Sequence, residues 1–297
     1  MNYFNLKQNI LIAITFCFVQ NGIAQFNSTK NFSYDKIDGE FSNLLSLDIY
    51  SPLGGKNFPV IVFVHGGGWQ VGDKASSSHI NKRDFFIEHG FVFVSVNYRL
   101  APDDFYPTYP QDVAKSLSFV FKWIGKFNGD NKNVFLMGHS AGAHLAALVA
   151  TDAKYLNSQG HGLNEIEGVI LLDGAGYDIP AVIQDNIEHN NQSGLNMYYT
   201  AFGESEEFWV EASPISHVND SNIFPPIQMF YVETRRLSRL MSSRFYNEII
   251  ESGNTAEIIS VANSSHEAIN RNFGAAGDVV SQQALSFIFL KLKYHDF

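Results

Sequence analysis

Residues 133–151 read NVFLMGHSAGAHLAALVAT, and three physical signals meet in that stretch. NVFLM is a short apolar run of the kind that forms a buried strand, while AHLAALVAT is an Ala/Leu-rich run of high helix propensity. Between them stands Gly138-His139-Ser140-Ala141-Gly142. A G-x-S-x-G joining a strand to a helix makes a sharp turn that holds its serine in a strained backbone conformation with the hydroxyl exposed. The glycines are needed because strand and helix approach too closely there for side chains. Ser140 also sits at a helix N-terminus, where the backbone dipole favours developing negative charge. An accidental G-x-S-x-G in a turn has no reason to be flanked by a strand and a helix in this order.

Outward from this turn the same alternation continues. LLSLDIY (44–50), PVIVFVH (59–65), FVFVSVNY (91–98), GVILLD (168–173), PIQMFYV (226–232) and AEIISV (256–261) read as strands. LLSLDIY alternates and suits a position near an edge; PVIVFVH is continuously apolar, as a strand covered on both faces must be. Helical stretches are expected at about 80–89, 110–126, 141–152, 239–252 and 277–293. Strands alternating with helices imply a mostly parallel sheet joined by right-handed crossovers. Residues 180–224, rich in Asn, Ser and aromatics, break the rhythm and are expected to form an excursion over the top of the sheet. Ligands of such sheets bind outside the carboxyl ends of the strands, so an excursion there can shape a pocket.

Two further segments carry chemistry. His65-Gly66-Gly67-Gly68-Trp69 follows PVIVFV, and three glycines at a strand's carboxyl end free backbone N–H groups to point into a site. With the N–H of Ala141 they suit the oxyanion of a tetrahedral acyl intermediate. A phosphate-binding loop needs G-x-G-x-x-G or a G-K-[ST] ending, and neither is present. His266, in VANSSHEAIN after the last strand, lies where a general base can reach Ser140. Of the other histidines, His144 falls inside the helix after the turn, His65 suits support of the glycine loop, and His79, His89 and His161 lie in polar, surface-like contexts.

Composition narrows the function. The 297 residues include 20 Lys+Arg against 30 Asp+Glu, a net charge of -10, and 14% aromatics with a single cysteine. So aromatic a chain can bury enough surface to offset its conformational entropy, which excludes intrinsic disorder. One cysteine excludes an internal disulfide framework, and no Cys/His spacing suggests a structural zinc site. The acidic balance excludes a nucleic-acid groove, which needs surplus Lys and Arg.

Residues 1–25 read MNYFNLKQNILIAITFCFVQNGIAQ, with Lys7 as the only charge, an apolar run from Ile10 to Val19, and Gly22-x-Ala24 before a cleavable bond. This is the layout of a signal peptide, cut near Ala24 or Gln25. The run falls short of the ~20 residues that cross a bilayer, and no other segment approaches that length. The expectation is an exported protein, periplasmic or extracellular, with a domain over 26–297 that has no membrane span.

HGGGW, VNYRLAP (96–102), QD (111–112), GHSAGAHLAAL and the late histidine together resemble the α/β-hydrolase superfamily, in order across residues 40 to 295. The similarity is to its HGGG-bearing serine esterases, a group that includes hormone-sensitive-lipase-like carboxylesterases, carbohydrate acyl esterases and arylformamidases. The resemblance implies an α/β-hydrolase fold, with Ser140 as nucleophile, His266 as base, and Gly66, Gly67, Gly68 and Ala141 as oxyanion hole. It implies no metal and no organic cofactor. The one cysteine lies in the signal segment, so hydrolases of this fold that use a thiol are excluded.

The triad acid departs from the family pattern. Relatives carry it after the penultimate strand in a context like PP-(apolar)-G-x-x-D; here that stretch reads PPIQMFYVETRRLSR, with Thr234, Arg235 and Arg236 where the acid is expected. Arginine opposes an imidazolium rather than stabilising it. Asp173, closing GVILLD, is the first candidate instead, with Glu233 and Asp178 as alternatives. The function implied is hydrolysis of small-molecule or carbohydrate esters through an acyl-enzyme. The alternatives are an amidase or arylformamidase of the same fold, or a binding module with a degenerate triad.

Overall fold

A computed structural model describes residues 25–293 of the chain. Residues 1–24 of the expected signal segment lie outside the described residues. Eight strands form one sheet: β1 (Phe26–Ser33), β2 (Ser46–Pro52), β3 (Phe58–Val64), β4 (Val92–Val96), β5 (Gly129–His139), β6 (Gly168–Leu172), β7 (Ile227–Val232) and β8 (Ala256–Val261). Their order is β1-β2-β4-β3-β5-β6-β7-β8, antiparallel from β1 through β2 to β4 and parallel across the rest.

The period of two along each strand sorts side chains into two cores. Val60, Val62 and Val64 of β3, Val134 and Leu136 of β5, and Val169 and Leu171 of β6 face one side. Ile61, Phe63, Phe135, Met137, Ile170 and Leu172 face the other. Both faces are covered, which is why these strands read as unbroken apolar runs. The first core is covered by α2 (Thr108–Trp123), α3 (Ala141–Thr151) and α8 (Arg236–Glu251), the second by α1 (Ile80–Glu88) and α10 (Val279–Lys293). A short α4 (Lys154–Asn157) follows α3.

The expected excursion is helical: α5 (Ile179–Glu188), α6 (Gln192–Phe202) and α7 (Glu206–Glu211), with a 3-10 turn at Pro214–His217. Trp69, next to the glycine loop, pins α6, its indole meeting Tyr198 edge-on at 5.1 Å and Phe202 at 4.8 Å. A six-residue helix, α9 (His266–Arg271), follows β8. One strand was not legible in the sequence: FNSTKNFS of β1 is mostly exposed and polar, and it joins the sheet through backbone pairing with β2 rather than by apolar burial. Among the described residues no helix is long and apolar enough to cross a membrane.

Candidate active site

Ser140 caps the N-terminus of α3 at φ 56°, ψ -120°, a conformation that L-residues rarely adopt. Its N–H donates to Leu172 O at 2.9 Å, tying the turn to β6. The close approach that demands glycine is visible here. A Cβ on Gly142 would fall 2.1 Å from Val64 O, and one on Gly138 would fall 2.1 Å from Gly142 O. The strand, the helix and β3 thus meet with no room for a methyl group.

Three side chains from distant segments converge on this turn. Nε2 of His266 lies 2.9 Å from Ser140 Oγ, and its Nδ1 lies 2.7 Å from Asp173 Oδ2. Ser265 caps α9, the helix that His266 begins, its Oγ accepting from Ala268 N–H at 3.2 Å. Asp173 follows β6 at φ 49° and is buried. Its Oδ1 accepts from Val232 N–H at 3.0 Å and from the Ser238 hydroxyl at 2.5 Å. Burial by itself would raise its carboxyl, but the His266 hydrogen bond, the Arg235 charge, Ser238 and Val232 together hold it well below the usual carboxylate range. Asp173 is therefore an anion that selects the Nδ1–H tautomer of His266 and leaves Nε2 to accept from Ser140.

The two alternative acids are placed elsewhere. Glu233 is exposed, and its backbone pairs with Val261. Asp178 caps α5 through Ala181 N–H and pairs with Arg244 at 2.7 Å. Arg235 turns back into the site: its Nη1 lies 2.5 Å from Asp173 Oδ2 and 2.6 Å from His266 Nδ1.

The glycine loop lies against the turn, since a Cβ on Gly66 would come within 2.9 Å of Ser140 Cβ. His65 Nδ1 donates to Gly66 O at 2.8 Å, and its ring stacks on Tyr98. Among the described residues the N–H groups of Gly67 and Gly68 donate to no protein acceptor, and Ala141 N–H is an orphan of the α3 N-terminus. Such donors suit a developing oxyanion. Trp69 carries the loop's far end; its Nε1–H donates to His144 Nδ1 at 3.2 Å, and His144 Nε2 donates to Ala212 O at 2.7 Å.

Several site residues had no clear signal in the sequence. His139, the variable residue of G-x-S-x-G, is buried; its Nε2 donates to His266 O at 2.8 Å and ties the turn to the segment carrying His266. Burial, with the neighbouring His266, keeps it neutral by lowering its proton affinity well below the ordinary value. His79, expected at the surface, is buried edge-on against Phe63 and borders the site. Its polar sequence neighbours concealed the packing.

Three cavities meet near Ser140. One of about 360 Å³ is lined by His65, Asp73, Ser78, His79, Glu267 and Asn270 beside Ser140 and His266. A second, about 60 Å³, lies between Ser140 and Trp69, Ala175, Gly176, Met197 and Tyr198. A third is an open groove of about 590 Å³ beyond Met197. Among the described residues no cluster of three or more His, Cys, Asp or Glu could hold a metal ion.

A BD-FAE family model matches residues 47–244, which include the glycine loop, Ser140, Asp173 and Arg235. The chain belongs to the BD-FAE family. Its sequence is 27% identical over 233 residues to the isoprenylcysteine alpha-carbonyl methylesterase ICME of Arabidopsis thaliana, covering 74% of this chain and 53% of that protein. The chain thus spans about half the length of that curated relative. In structure this BD-FAE member is similar to a truncated carbohydrate esterase from gut microbiota, with TM-score 0.73, 19% identity, and 91% and 97% of the two chains covered. It is also similar to inhibited esterase B from Lactobacillus rhamnosis, with TM-score 0.76, 18% identity, and 91% and 89% covered. The eight-stranded sheet flanked by helices is the α/β-hydrolase fold.

Proposed function

We propose that this chain is an exported serine hydrolase of carboxylic esters, acting on acyl groups carried by carbohydrates or similarly polar alcohols. The observation that carries the reading is the double engagement of His266, with Ser140 at 2.9 Å on one ring nitrogen and Asp173 at 2.7 Å on the other. Ser140 gives its proton to Nε2 of His266 as Oγ forms a bond to the ester carbonyl carbon. The carbonyl oxygen takes up the negative charge and receives N–H groups of the Gly66–Gly68 loop and Ala141, each such donor being worth ~2.7–4 kcal/mol in related sites. Asp173 holds the imidazolium. His266 then protonates the departing alkoxide as the C–O bond breaks, and water repeats the sequence to release the acid.

Support for a polar alcohol comes from the 360 Å³ cavity. Its lining is rich in hydrogen-bonding side chains, with His65, Asp73, Ser76, Ser78, Glu267 and Asn270 around it. A polyol supplies both donors and acceptors to such side chains. The likeness to a carbohydrate esterase agrees with this. Support for export is the charge, apolar run and small-residue pattern of residues 1–25.

Fluorophosphonate labelling and p-nitrophenyl acetate hydrolysis test the reading in purified protein: both are expected in the wild type and both are abolished in Ser140→Ala. A folded wild type that neither labels nor turns over the ester is instead a binding module. Faster turnover of N-formyl aromatic amides than of acetylated oligosaccharides assigns the amidase alternative.

A further inference from the structure

We infer that Met197 sets the acyl length this site accepts, restricting it to acetyl and propionyl groups; the inference rests on the ester-hydrolase reading above. An ester carbonyl carbon at Ser140 projects two substituents, and the two cavities flanking Ser140 differ in size and lining. The larger is lined by His65, Asp73, Ser78, Glu267 and Asn270 and suits a polar alcohol. The smaller, about 60 Å³, is walled by Trp69, Ala175, Gly176, Met197 and Tyr198, with Asp173 and Arg235 also on its lining, and its size suits a short acyl chain. A cavity of about 150 Å³ takes a benzene ring, and a water-sized group fills roughly 30 Å³. Space for about two such groups holds a methyl or an ethyl but neither a hexyl chain nor an aromatic acid.

Met197 is the partition. It is half-buried and borders the acyl cavity, the alcohol cavity and the open groove of about 590 Å³ beyond. Its side chain lies directly over Gly68, where an added Cβ would meet Met197 Sδ at 2.8 Å and Cγ at 3.2 Å. The backbone behind it is held in place. Gln70 Nε2 donates to Met197 O at 3.2 Å, and the Trp69 ring packs on Tyr198 and Phe202 of the same helix. Truncating the side chain therefore opens a passage rather than letting α6 settle into the gap. The opposite wall offers no such exit, because Gly176 backs onto the His144 ring, 3.1 Å from where a Cβ would stand.

The test compares p-nitrophenyl acetate, propionate, butyrate, hexanoate and octanoate on wild type, Met197→Ala and Met197→Leu. In the wild type kcat/KM falls at least tenfold from acetate to hexanoate. Met197→Ala raises the hexanoate-to-acetate ratio at least tenfold, and Met197→Leu, of nearly the original volume, brings it back to within threefold of wild type. Ala175→Val narrows the same cavity from the other side and lowers the propionate-to-acetate ratio at least fivefold, an independent readout should Met197→Ala fold poorly. A wild type that prefers hexanoate, or ratios unmoved in folded Met197→Ala and Ala175→Val, overturns the inference. Loss of all ester turnover and of fluorophosphonate labelling in the wild type overturns the ester-hydrolase reading itself, and this inference with it.

Discussion

Nη1 of Arg235 lies 2.5 Å from Oδ2 of Asp173, the same oxygen that His266 Nδ1 approaches to 2.7 Å. Arg235 stands in the loop where the family pattern carries an acid, so a cation from that loop now contacts an anion delivered by the neighbouring strand. Val232 N–H, the Ser238 hydroxyl and His266 also donate to Asp173, so three donors remain on the carboxylate without the arginine.

This arrangement separates three variants. Asp173→Asn removes the anion that selects the His266 tautomer and lowers kcat about 10⁴-fold. Arg235→Met leaves three donors on the carboxylate and lowers kcat/KM less than tenfold. Glu233→Gln, at an exposed site, leaves the kinetics unchanged. Equal losses in Arg235→Met and Asp173→Asn would show that the arginine, and not the tautomer, governs the base.

Glycines of the site differ in what a methyl group does. Gly142→Ala forces a Cβ to within 2.1 Å of Val64 O between β3 and α3, and the protein fails to fold. Gly67 is at φ +120°, with a Cβ position 1.9 Å from Val71 O. Gly67→Ala therefore displaces only the surface loop, leaving a folded protein with kcat reduced roughly 10²–10³-fold through the lost oxyanion donors. Gly90, at φ +80° with open space around it, costs only ~1–2 kcal/mol as Ala and keeps full kcat. Thermal melts beside kinetics distinguish the three.

His144 predicts an acid limit to stability. Burial pushes its imidazole down to about 4, while the unfolded chain binds the proton near 6.5. The unfolded state holds more protons between these values. The contribution is therefore complete above pH 6.5 and lost as pH falls to about 4, a change on the order of 3 kcal/mol. Urea midpoints fall over this window in the wild type and fall less in His144→Phe, which also lacks the acceptor for Trp69 Nε1–H. An unchanged slope in the variant places the acid sensitivity in another group.

Lys82 predicts a dependence of the same sign at higher pH. Its ammonium is fully buried, over the rings of Phe63 and Phe273, donating to the carbonyls of Ser78 and Asn270. Burial lowers it to about 7, against ~10.4 in the unfolded chain. Folding releases its proton between those values, so stability rises with pH from about 7 to about 10. Lys82→Met raises stability at pH 6 by on the order of 1–4 kcal/mol, read as a higher melting temperature, and the gain shrinks toward pH 10. A gain of equal size at both pH values would sink this account.

The sequence by itself determined the seven strands from β2 to β8, the turn at Ser140, the glycine loop and the position of His266 after the last strand. These are local properties: apolar period, glycine demand and chain order are written in neighbouring residues. Strand β1 escaped because its polar residues pair through backbone alone. Only the tertiary structure shows that Asp173, and not Glu233 or Asp178, lies against His266, since that depends on where β6, the loop after β7 and α9 come together. It also decided that Arg235 joins the carboxylate, that His79 and His139 are buried, and that Met197 divides the cavities. Each of those facts is a contact between residues dozens of positions apart, and no local pattern encodes such a distance.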